Sequence, residues 1–424
     1  MIKLEEHKSA THQKPIENAP LPSLAYIPLS QHIGKLCSPE VKPGDTVSLG
    51  QRIAGAEAPV YAPIHASVSG KIISIEDRPH PVLTKCKTIV IANDAKDNSQ
   101  SFRVKKPLSE IEKLTPEQIR KSVFEAGIVG LGGASFPTHI KLNPPKPVDT
   151  LIINGAECEP YLTGDFRLMI EKTNEILEGV HVLEKCLGVK NTYIAIEDNK
   201  PEAIEKFKAQ NSKFKIVVLK SRYPQGGEKQ LIKNVLAKEV PQGKLPFEVG
   251  VVVQNVATVN AIYEAVYFNK PLYERVVTVT GSPLSNPKNL LARIGTPIKE
   301  LIDFCGPLNE KPAKIIIGGP MMGIAQYTDE VPVIKSTTGI VLLSKKEAAA
   351  QEEQFCIRCG ACIRACPAGL MPCLINLASE KEMWTEAKAY NALDCIECGL
   401  CNYLCPANRK LTQSIKRAKF EANK

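Results

Sequence analysis

Two cysteine runs near the C-terminal end of the sequence constrain this chain more than any other feature. Each has the spacing C-x2-C-x2-C-x3-C-P; one runs from Cys356 to Pro367 and the other from Cys395 to Pro406. Two-residue gaps let one loop place three thiolates around a face of an iron–sulfur cubane. CxxC pairs also build zinc sites, but two complete four-cysteine runs ending in proline favour iron. The sequence therefore predicts two [4Fe–4S] clusters.

The fourth cysteine of each run is expected to bind the cluster of the other run, as in other two-cluster proteins. The predicted ligands are Cys356, Cys359, Cys362 and Cys405 for cluster 1, and Cys395, Cys398, Cys401 and Cys366 for cluster 2. Cys373 falls outside both runs and is interpreted as a packed thiol. Crossed ligation predicts one compact unit that carries single electrons.

The composition is ordinary for a soluble multidomain protein. The 424 residues are 43% hydrophobic and 23% charged, and this length suggests about three domains. No apolar stretch approaches the roughly 20 residues that cross a bilayer, and the first residues lack the apolar core of a signal peptide. The 14 cysteines therefore indicate metal binding rather than disulfides. We expect the protein in the cytoplasm.

Changes in pattern along the chain divide it into segments. Residues 1–20 are polar and are predicted to be disordered. Short β-type runs follow, then alternating strands and helices typical of a mostly parallel sheet, then a second β-rich region before the cysteines. The predicted divisions are 21–105, 106–260, 270–330, 345–415 and a basic tail at 409–424. That tail suits either an anionic membrane surface or a solvated helix end.

The segment at 21–105 resembles the barrel-sandwich fold of biotinyl and lipoyl carrier domains. Turns such as Lys42-Pro43-Gly44-Asp45 between short β-type runs carry this resemblance. The lysine that holds the prosthetic group in carrier domains, at the turn of a Met-Lys-Met type of motif, is missing here. A structural role is therefore favoured over that of a swinging arm.

A glycine-rich loop in the alternating region is a candidate phosphate site. It reads Gly130-Leu131-Gly132-Gly133-Ala134-Ser135-Phe136-Pro137-Thr138, and Lys141 follows. Backbone amides at closely spaced glycines can approach a phosphate, and a lysine can neutralise it. His139 is interpreted as a surface residue.

A second candidate segment follows a predicted strand, where open α/β sheets bind ligands. It reads Asn154-Gly155-Ala156-Glu157-Cys158-Glu159-Pro160. Two carboxylates and an amide here can bond ribityl or ribose hydroxyls. No base is evident to activate Cys158, so packing is its expected role.

These two segments are similar to those of the RnfC family when taken with two further motifs. The further motifs are Tyr223-Pro224-Gln225-Gly226-Gly227-Glu228 and Gln254-Asn255-Val256-Ala257-Thr258. The family provides the NADH-side subunit of the Rnf (Rsx) electron-transport complex and is related to the flavoprotein subunit of respiratory complex I. Leu131 and Ala156 replace an arginine and an aspartate of the complex I subunit, so the contacts of those side chains are not carried over.

The resemblance implies FMN and NADH in a Rossmann-like middle domain, a β-grasp domain of the SLBB type at 270–330 and a ferredoxin-like end. It assigns to the flavin and nicotinamide site Gly130, Gly132, Gly133, Phe136, Lys141, Asn154, Glu157, Glu159, Glu228 and Asn255. No catalytic side chain is assigned, because the cofactor itself takes the hydride. The expected protein is peripheral, on the cytoplasmic side of the bacterial inner membrane. Integral-membrane and iron–sulfur partner subunits hold it and translocate ions, and it binds no nucleic acid.

Two alternatives stay open at this point. The RnfC-like cobalamin reductase of bacterial microcompartments shares the flavin and ferredoxin modules, although its barrel is placed differently. A relay or scaffold subunit that carries clusters without flavin is the second alternative. A flavin spectrum that NADH bleaches separates these alternatives.

Overall fold

Two small antiparallel sheets pack against each other near the N-terminal end of the chain. The computed structural model describes residues 1–97, 102, 104–210, 213–349 and 351–424. After β1 (Ile16–Asn18), the strands of this barrel are β2 (Leu24–Pro28), β3 (Ser38–Pro39), β4 (Thr46–Val47), β5 (Arg52–Gly55), β6 (Ile64–His65), β7 (Gly70–His80) and β8 (Thr84–Asn93). Their order is β2-β8-β7-β4 in one sheet and β3-β5-β6 in the other. Ile27, Ile53, Ile64 and Ile89 are fully buried between the sheets.

A parallel four-stranded sheet with helices on its faces forms the middle of the chain. Its elements are α1 (Leu108–Ile111), α2 (Pro116–Glu125), α3 (Thr138–Lys141), β9 (Thr150–Gly155), α4 (Gly164–Glu171), α5 (Thr173–Leu187), β10 (Asn191–Glu197), α6 (Pro201–Gln210), β11 (Lys215–Leu219), α7 (Glu228–Leu236), β12 (Val251–Asn255) and α8 (Val256–Phe268). The strand order is β11-β10-β9-β12, and all pairs are parallel. Strands such as β9 are apolar along most of their length because helices cover both faces. The carboxyl ends of all four strands therefore lie at one edge of the sheet.

A mixed six-stranded sheet follows this α/β unit. Its further elements are β13 (Glu274–Thr280), β14 (Lys288–Arg293), α9 (Ile298–Phe304), β15 (Lys314–Ile317), β16 (Ile324–Ala325) and β17 (Gly339–Leu343). The strand order is β1-β14-β13-β17-β15-β16, so an N-terminal strand forms one edge. Val277, Leu290 and Ile340 are fully buried in its core.

The first twenty residues form an ordered strap, and the prediction of disorder for 1–20 is wrong. Ile2 and Tyr223 exchange two backbone hydrogen bonds (3.2 and 2.7 Å). Lys8 is buried, and its ammonium group donates to the Glu157 carbonyl. The polar composition was misleading because the α/β unit, rather than water, satisfies polar groups of this segment.

Short helices build the cysteine-rich unit at the end of the chain. They are α10 (Ala361–Ala365), α11 (Pro372–Glu380), α12 (Trp384–Ala389), α13 (Leu400–Tyr403) and α14 (Leu411–Glu421). Leu370, Ile375, Ala387 and Ile415 form much of its small apolar core. Across the described residues, no helix has both the length and the apolar character needed to span a membrane.

The basic tail is part of this helical unit rather than a free end. Helix α14 buries Leu411, Ile415 and Ala418 against the core. Several of its neighbouring basic side chains are paired: Lys416 and Lys419 with Glu397, Arg417 with Glu382, and Arg409 with Glu353 and Glu380. Fewer positive charges are therefore available to an anionic surface than the composition indicates.

Candidate functional site

The glycine-rich loop joins α2 to α3 and lies at the carboxyl edge of the parallel sheet. The Gly130 amide donates to the Phe136 carbonyl (2.9 Å), and the Ser135 amide donates to the Gly130 carbonyl (3.1 Å). Gly133 has a φ of +116°, and a side chain built there meets nothing within 4 Å. The loop is thus closed at its ends and open at its tip, where backbone is exposed to incoming ligand.

Lys141 and Glu228 form a charged pair on one side of this loop. Lys141 ends α3, Glu228 begins α7, and their charged groups are in direct contact. Their side chains are 30% and 36% exposed, so a ligand can reach both. Asn154, near the end of β9, donates its side-chain amide to the Gly226 carbonyl (2.9 Å). This bond ties the segment before Glu228 to the sheet.

Asn255 lies on the other side, at the junction of β12 and α8. Its side-chain oxygen accepts from the Ala257 amide (2.9 Å) and caps α8. Its side-chain amide donates to the Asp165 carboxylate (2.6 Å). A methyl group on Gly132 would lie 3.3 Å from the Asn255 Cβ, so the absence of a side chain lets the loop pack closely here.

Two ionisable residues of the site, the half-buried Asp165 and the buried Arg275, were missed by sequence reasoning. Burial raises the pKa of Asp165 to about 7, and the nearby Glu157 carboxylate adds to the shift. The Arg275 guanidinium, from β13, donates to the Leu131 carbonyl in the glycine loop (3.3 Å), and burial lowers its pKa to about 10. A local signal existed for Asp165, an acid in the first turn of α4. None existed for Arg275, which comes from the other sheet.

Asp165 should make the free energy of unfolding depend on pH. Its folded-state pKa of about 7 lies above the ordinary 3.8, so the folded protein holds an extra proton between these values. The extra proton contributes to the free energy of unfolding in full below pH 3.8, and the contribution is lost as pH rises through about 7. Asp165→Asn should therefore gain stability relative to wild type between about pH 5 and about pH 8, by a few kcal/mol at most.

Denaturant unfolding of the wild type and the variant at both pH values measures this effect. Asp303→Asn is the matched control, because Asp303 is exposed on α9. A difference between Asp165→Asn and wild type that stays constant with pH contradicts the assignment.

The other two predicted acids, Glu157 and Glu159, accept hydrogen bonds from backbone amides of the protein and do not face an open cavity. Glu157 accepts two backbone hydrogen bonds at the start of α4 (2.9 and 3.3 Å). Glu159 accepts from the amides of Met321 (3.1 Å) and Met322 (2.9 Å), and burial raises its pKa to about 7. Cys158 accepts from the Gly226 amide (3.3 Å), which supports the packing role expected for it. Glu157 and Glu159 therefore brace the loops around the site.

Buried polar atoms without a partner among the described residues mark the space beside the glycine loop. They include Ser135 Oγ, Thr138 Oγ1, His139 Nδ1 and Gln254 Nε2. His139, predicted at the surface, is half-buried and packs against Phe124 with 4.8 Å between ring centroids. Unpaired buried polar groups are costly, so a ligand that bonds to them stabilises the loop. The phosphate and ribityl oxygens of FMN fit these atoms and the open tip at Gly133.

The four cysteines assigned to cluster 2 line one cavity. Cys366 from the first run borders it together with Cys395, Cys398 and Cys401 from the second run. Burial raises the pKa of Cys398 to about 11 and that of Cys401 to about 12, and the neighbouring Cys366 and Cys395 sulfurs add to both shifts. Backbone amides donate to the sulfurs of Cys366 (3.3 Å) and Cys395 (3.4 Å). This enclosed set of thiols fits a cubane.

The cysteines assigned to cluster 1 lie nearer the surface. Cys356 and Cys359 are exposed, whereas Cys362 and Cys405 are half-buried. Cys373 lies beside Cys362 and, after burial, is a further cause of the raised pKa of Cys362, about 11. Within the described ranges no group of three or more His, Cys, Asp or Glu side chains is arranged to hold a single metal ion. The fit of cluster 1 therefore rests on the spacing of its cysteines.

Comparison with known proteins matches four domain families along the chain. They are the RnfC barrel sandwich hybrid domain (residues 2–96), the Nuo51 FMN-binding domain (123–264), the SLBB domain (276–325) and the 4Fe-4S dicluster domain (349–406). Their identities and order confirm the predicted fold class.

Curated relatives match nearly the whole chain. A subunit of the proton-translocating ferredoxin:NAD(+) oxidoreductase complex of Clostridium ljungdahlii is 48% identical over 423 residues, covering 98% of this chain and 92% of the relative. The corresponding subunit of the Na(+)-translocating complex of Acetobacterium woodii is 45% identical over 419 residues, covering 98% and 94%. An air-oxidised NAD+-reducing [NiFe]-hydrogenase structure shares the fold, with a TM-score of 0.50 and 17% identity over 74% of this chain and 64% of that one.

Proposed function

Because the chain belongs to the RnfC family of ion-translocating oxidoreductase subunits, we propose that it exchanges electrons with NADH through FMN and two [4Fe–4S] clusters. The observation that carries this proposal is the presence, in one chain, of a glycine loop with unpaired buried polar atoms and a cavity lined by four cysteines. Bound FMN supplies the conversion between hydride transfer and single-electron transfer. Other subunits of the complex translocate the ion.

The chain's own residues provide the binding and orientation that this function needs. Lys141 and Arg275 place positive charge beside the glycine loop, which favours a phosphate there. The hydroxyls of Ser135 and Thr138 are buried and have no hydrogen-bond partner among the described residues, so they can bond phosphate or ribityl oxygens once the loop adjusts around the ligand. We assign direct ligand contacts to Gly130, Gly132, Gly133, Phe136, Lys141, Asn154, Glu228 and Asn255. Glu157 and Glu159 hold the neighbouring loops in place through hydrogen bonds to backbone amides.

The cysteines hold the two clusters in the crossed arrangement. We assign Cys356, Cys359, Cys362 and Cys405 to cluster 1, and Cys395, Cys398, Cys401 and Cys366 to cluster 2. The shared cavity of the cluster 2 cysteines supports the second half of this assignment. The exposed cysteines of cluster 1 support an exchange of electrons with a partner at the surface.

We also propose that the chain is peripheral, on the cytoplasmic side of the bacterial inner membrane. Integral-membrane and iron–sulfur subunits of the Rnf complex are its proposed partners. The ion pairs around α14 favour protein partners over direct binding of the basic tail to anionic lipid.

Metal and flavin analysis of the purified protein tests the proposed function. Anaerobically reconstituted protein should carry about eight irons from two cubanes, together with FMN. NADH should bleach the flavin absorbance, and the reduced protein should show the EPR signal of two interacting clusters. Zinc in place of iron, iron for one cluster only, or a flavin that NADH does not bleach contradicts the proposal.

A further inference from the structure

One segment of the α/β unit contacts both the flavin side and the second cysteine run. We call residues 223–230 the bridge segment. On the flavin side, Glu228 pairs with Lys141, and the Gly226 carbonyl accepts from the Asn154 side chain. The opposite face of the same segment contacts the loops that carry the cluster 2 cysteines.

Two side-chain hydrogen bonds make the contact with cluster 2. The Tyr223 hydroxyl donates to the carbonyl of Cys398 (2.8 Å), which is an assigned ligand. The Gln230 side-chain amide donates to the carbonyl of Pro367 (2.8 Å), which directly follows the ligand Cys366. Each bond thus reaches the backbone of a different cysteine run, so the bridge segment contacts both parts of the crossed site.

The surroundings of Tyr223 hold its side chain in the position from which the hydroxyl bonds to the Cys398 carbonyl. Tyr223 is 1% exposed and packs with Ala365, Cys398 and Leu400. The N-terminal strap holds the tyrosine backbone from the other side through Ile2.

A third loop meets the bridge segment and the cluster 2 loop at the same place. Glu159 binds the amides of Met321 and Met322, and it also contributes to the electrostatic environment of Tyr223. A methyl group on Gly399 would lie 2.7 Å from the Met321 carbonyl, and Gly399 has a φ of +78°. Only glycine is therefore easily accommodated where the cluster 2 loop packs against this loop.

We propose that Tyr223 and Gln230 are positioning residues that hold cluster 2 against the bridge segment, so that cluster 2 and not cluster 1 is the redox neighbour of the flavin. The inference rests on the proposed function. Hydrogen bonds to the backbone around a cluster also tune its reduction potential. The Tyr223 hydroxyl draws electron density from the Cys398 peptide and so favours the reduced cluster.

Tyr223→Phe tests the inference, because it keeps the ring and removes the hydroxyl. We expect a lower midpoint potential for cluster 2 in an EPR-monitored redox titration. Electron transfer between NADH-reduced flavin and the clusters should slow about tenfold. Gln230→Leu should change both quantities in the same direction. Tyr193→Phe, on β10 of the parallel sheet, is the matched control and should change neither.

The following results would contradict the inference or the proposed function. Unchanged cluster 2 potential and transfer rate in both variants, with full FMN and iron, overturn the inference, as does a shift confined to cluster 1. If Tyr223→Phe loses iron, the same measurements on Gln230→Leu decide. Wild-type protein without FMN or without two clusters instead refutes the proposed function, so the two failures are distinguishable.

Discussion

Cys366→Ala should remove the irons of cluster 2 and spare those of cluster 1, although Cys366 belongs to the first cysteine run. In the structure Cys366 shares its cavity with Cys395, Cys398 and Cys401. A cubane needs four thiolates, and among the described residues no fifth cysteine lines this cavity. The iron content should therefore fall to about four per chain. Iron analysis and EPR of the reduced variant measure the loss and show which signal remains.

The reciprocal variant and a control complete this experiment. Cys405→Ala should affect cluster 1 and leave the cluster 2 signal intact. Cys186→Ala, a buried cysteine of α5 distant in sequence from both runs, should keep about eight irons. Loss of the cluster 1 signal in Cys366→Ala, with cluster 2 retained, would show that each run binds its own cluster.

Lys141→Ala should weaken FMN binding by about tenfold or more, since a hydrogen bond to a charged group contributes roughly 1.5–3 kcal/mol. The lysine is partly exposed beside the glycine loop and pairs with Glu228, so its loss also leaves that carboxylate without its partner. The remaining negative charge opposes a phosphate at the same place. Titration of flavin-depleted protein with FMN, followed by flavin fluorescence, measures the affinity.

Lys146→Ala is the matched control for Lys141→Ala. Lys146 lies five positions further along the chain and pairs with Glu248, and its side chain is 56% exposed. Its replacement should change neither FMN affinity nor iron content. Both variants should keep two clusters, because the lysines and the cysteines belong to different units. Wild-type FMN affinity in Lys141→Ala would remove this lysine from the site.

The sequence predicted correctly those features that depend on the spacing or alternation of residues close together in the chain. Cysteine spacing indicated two clusters, alternating strands and helices indicated a parallel sheet, and the comparisons confirm the fold class and the family. The relatives are named as subunits of ferredoxin:NAD(+) oxidoreductase complexes, which favours the Rnf interpretation over a cobalamin reductase or a flavin-free relay. The individual flavin contacts remain predictions.

What sequence missed depends on contacts between distant segments. Arg275 reaches the glycine loop from β13, and Tyr223 reaches Cys398 across 175 positions of chain. Arg275 belongs to no motif of the sequence, and the motif that begins at Tyr223 gives no local sign that its hydroxyl reaches the second cysteine run. The strap at 1–20 was misjudged for a related reason, because composition records charge and polarity but not the partner that satisfies them.

The crossed site and helix α14 have a consequence for how the protein matures. During synthesis the first cysteine run emerges well before Cys405, and Cys366 emerges before the three cysteines that share its cavity. Helix α14, whose buried face closes the core beside them, is made later still. With the proposed crossed ligation, neither cubane has its full set of ligands on the nascent chain until the second run has left the ribosome. On this assignment we expect iron delivery to follow translation of the second run, and a chain that stops before Cys395 would leave the cysteines of the first run without a full ligand set.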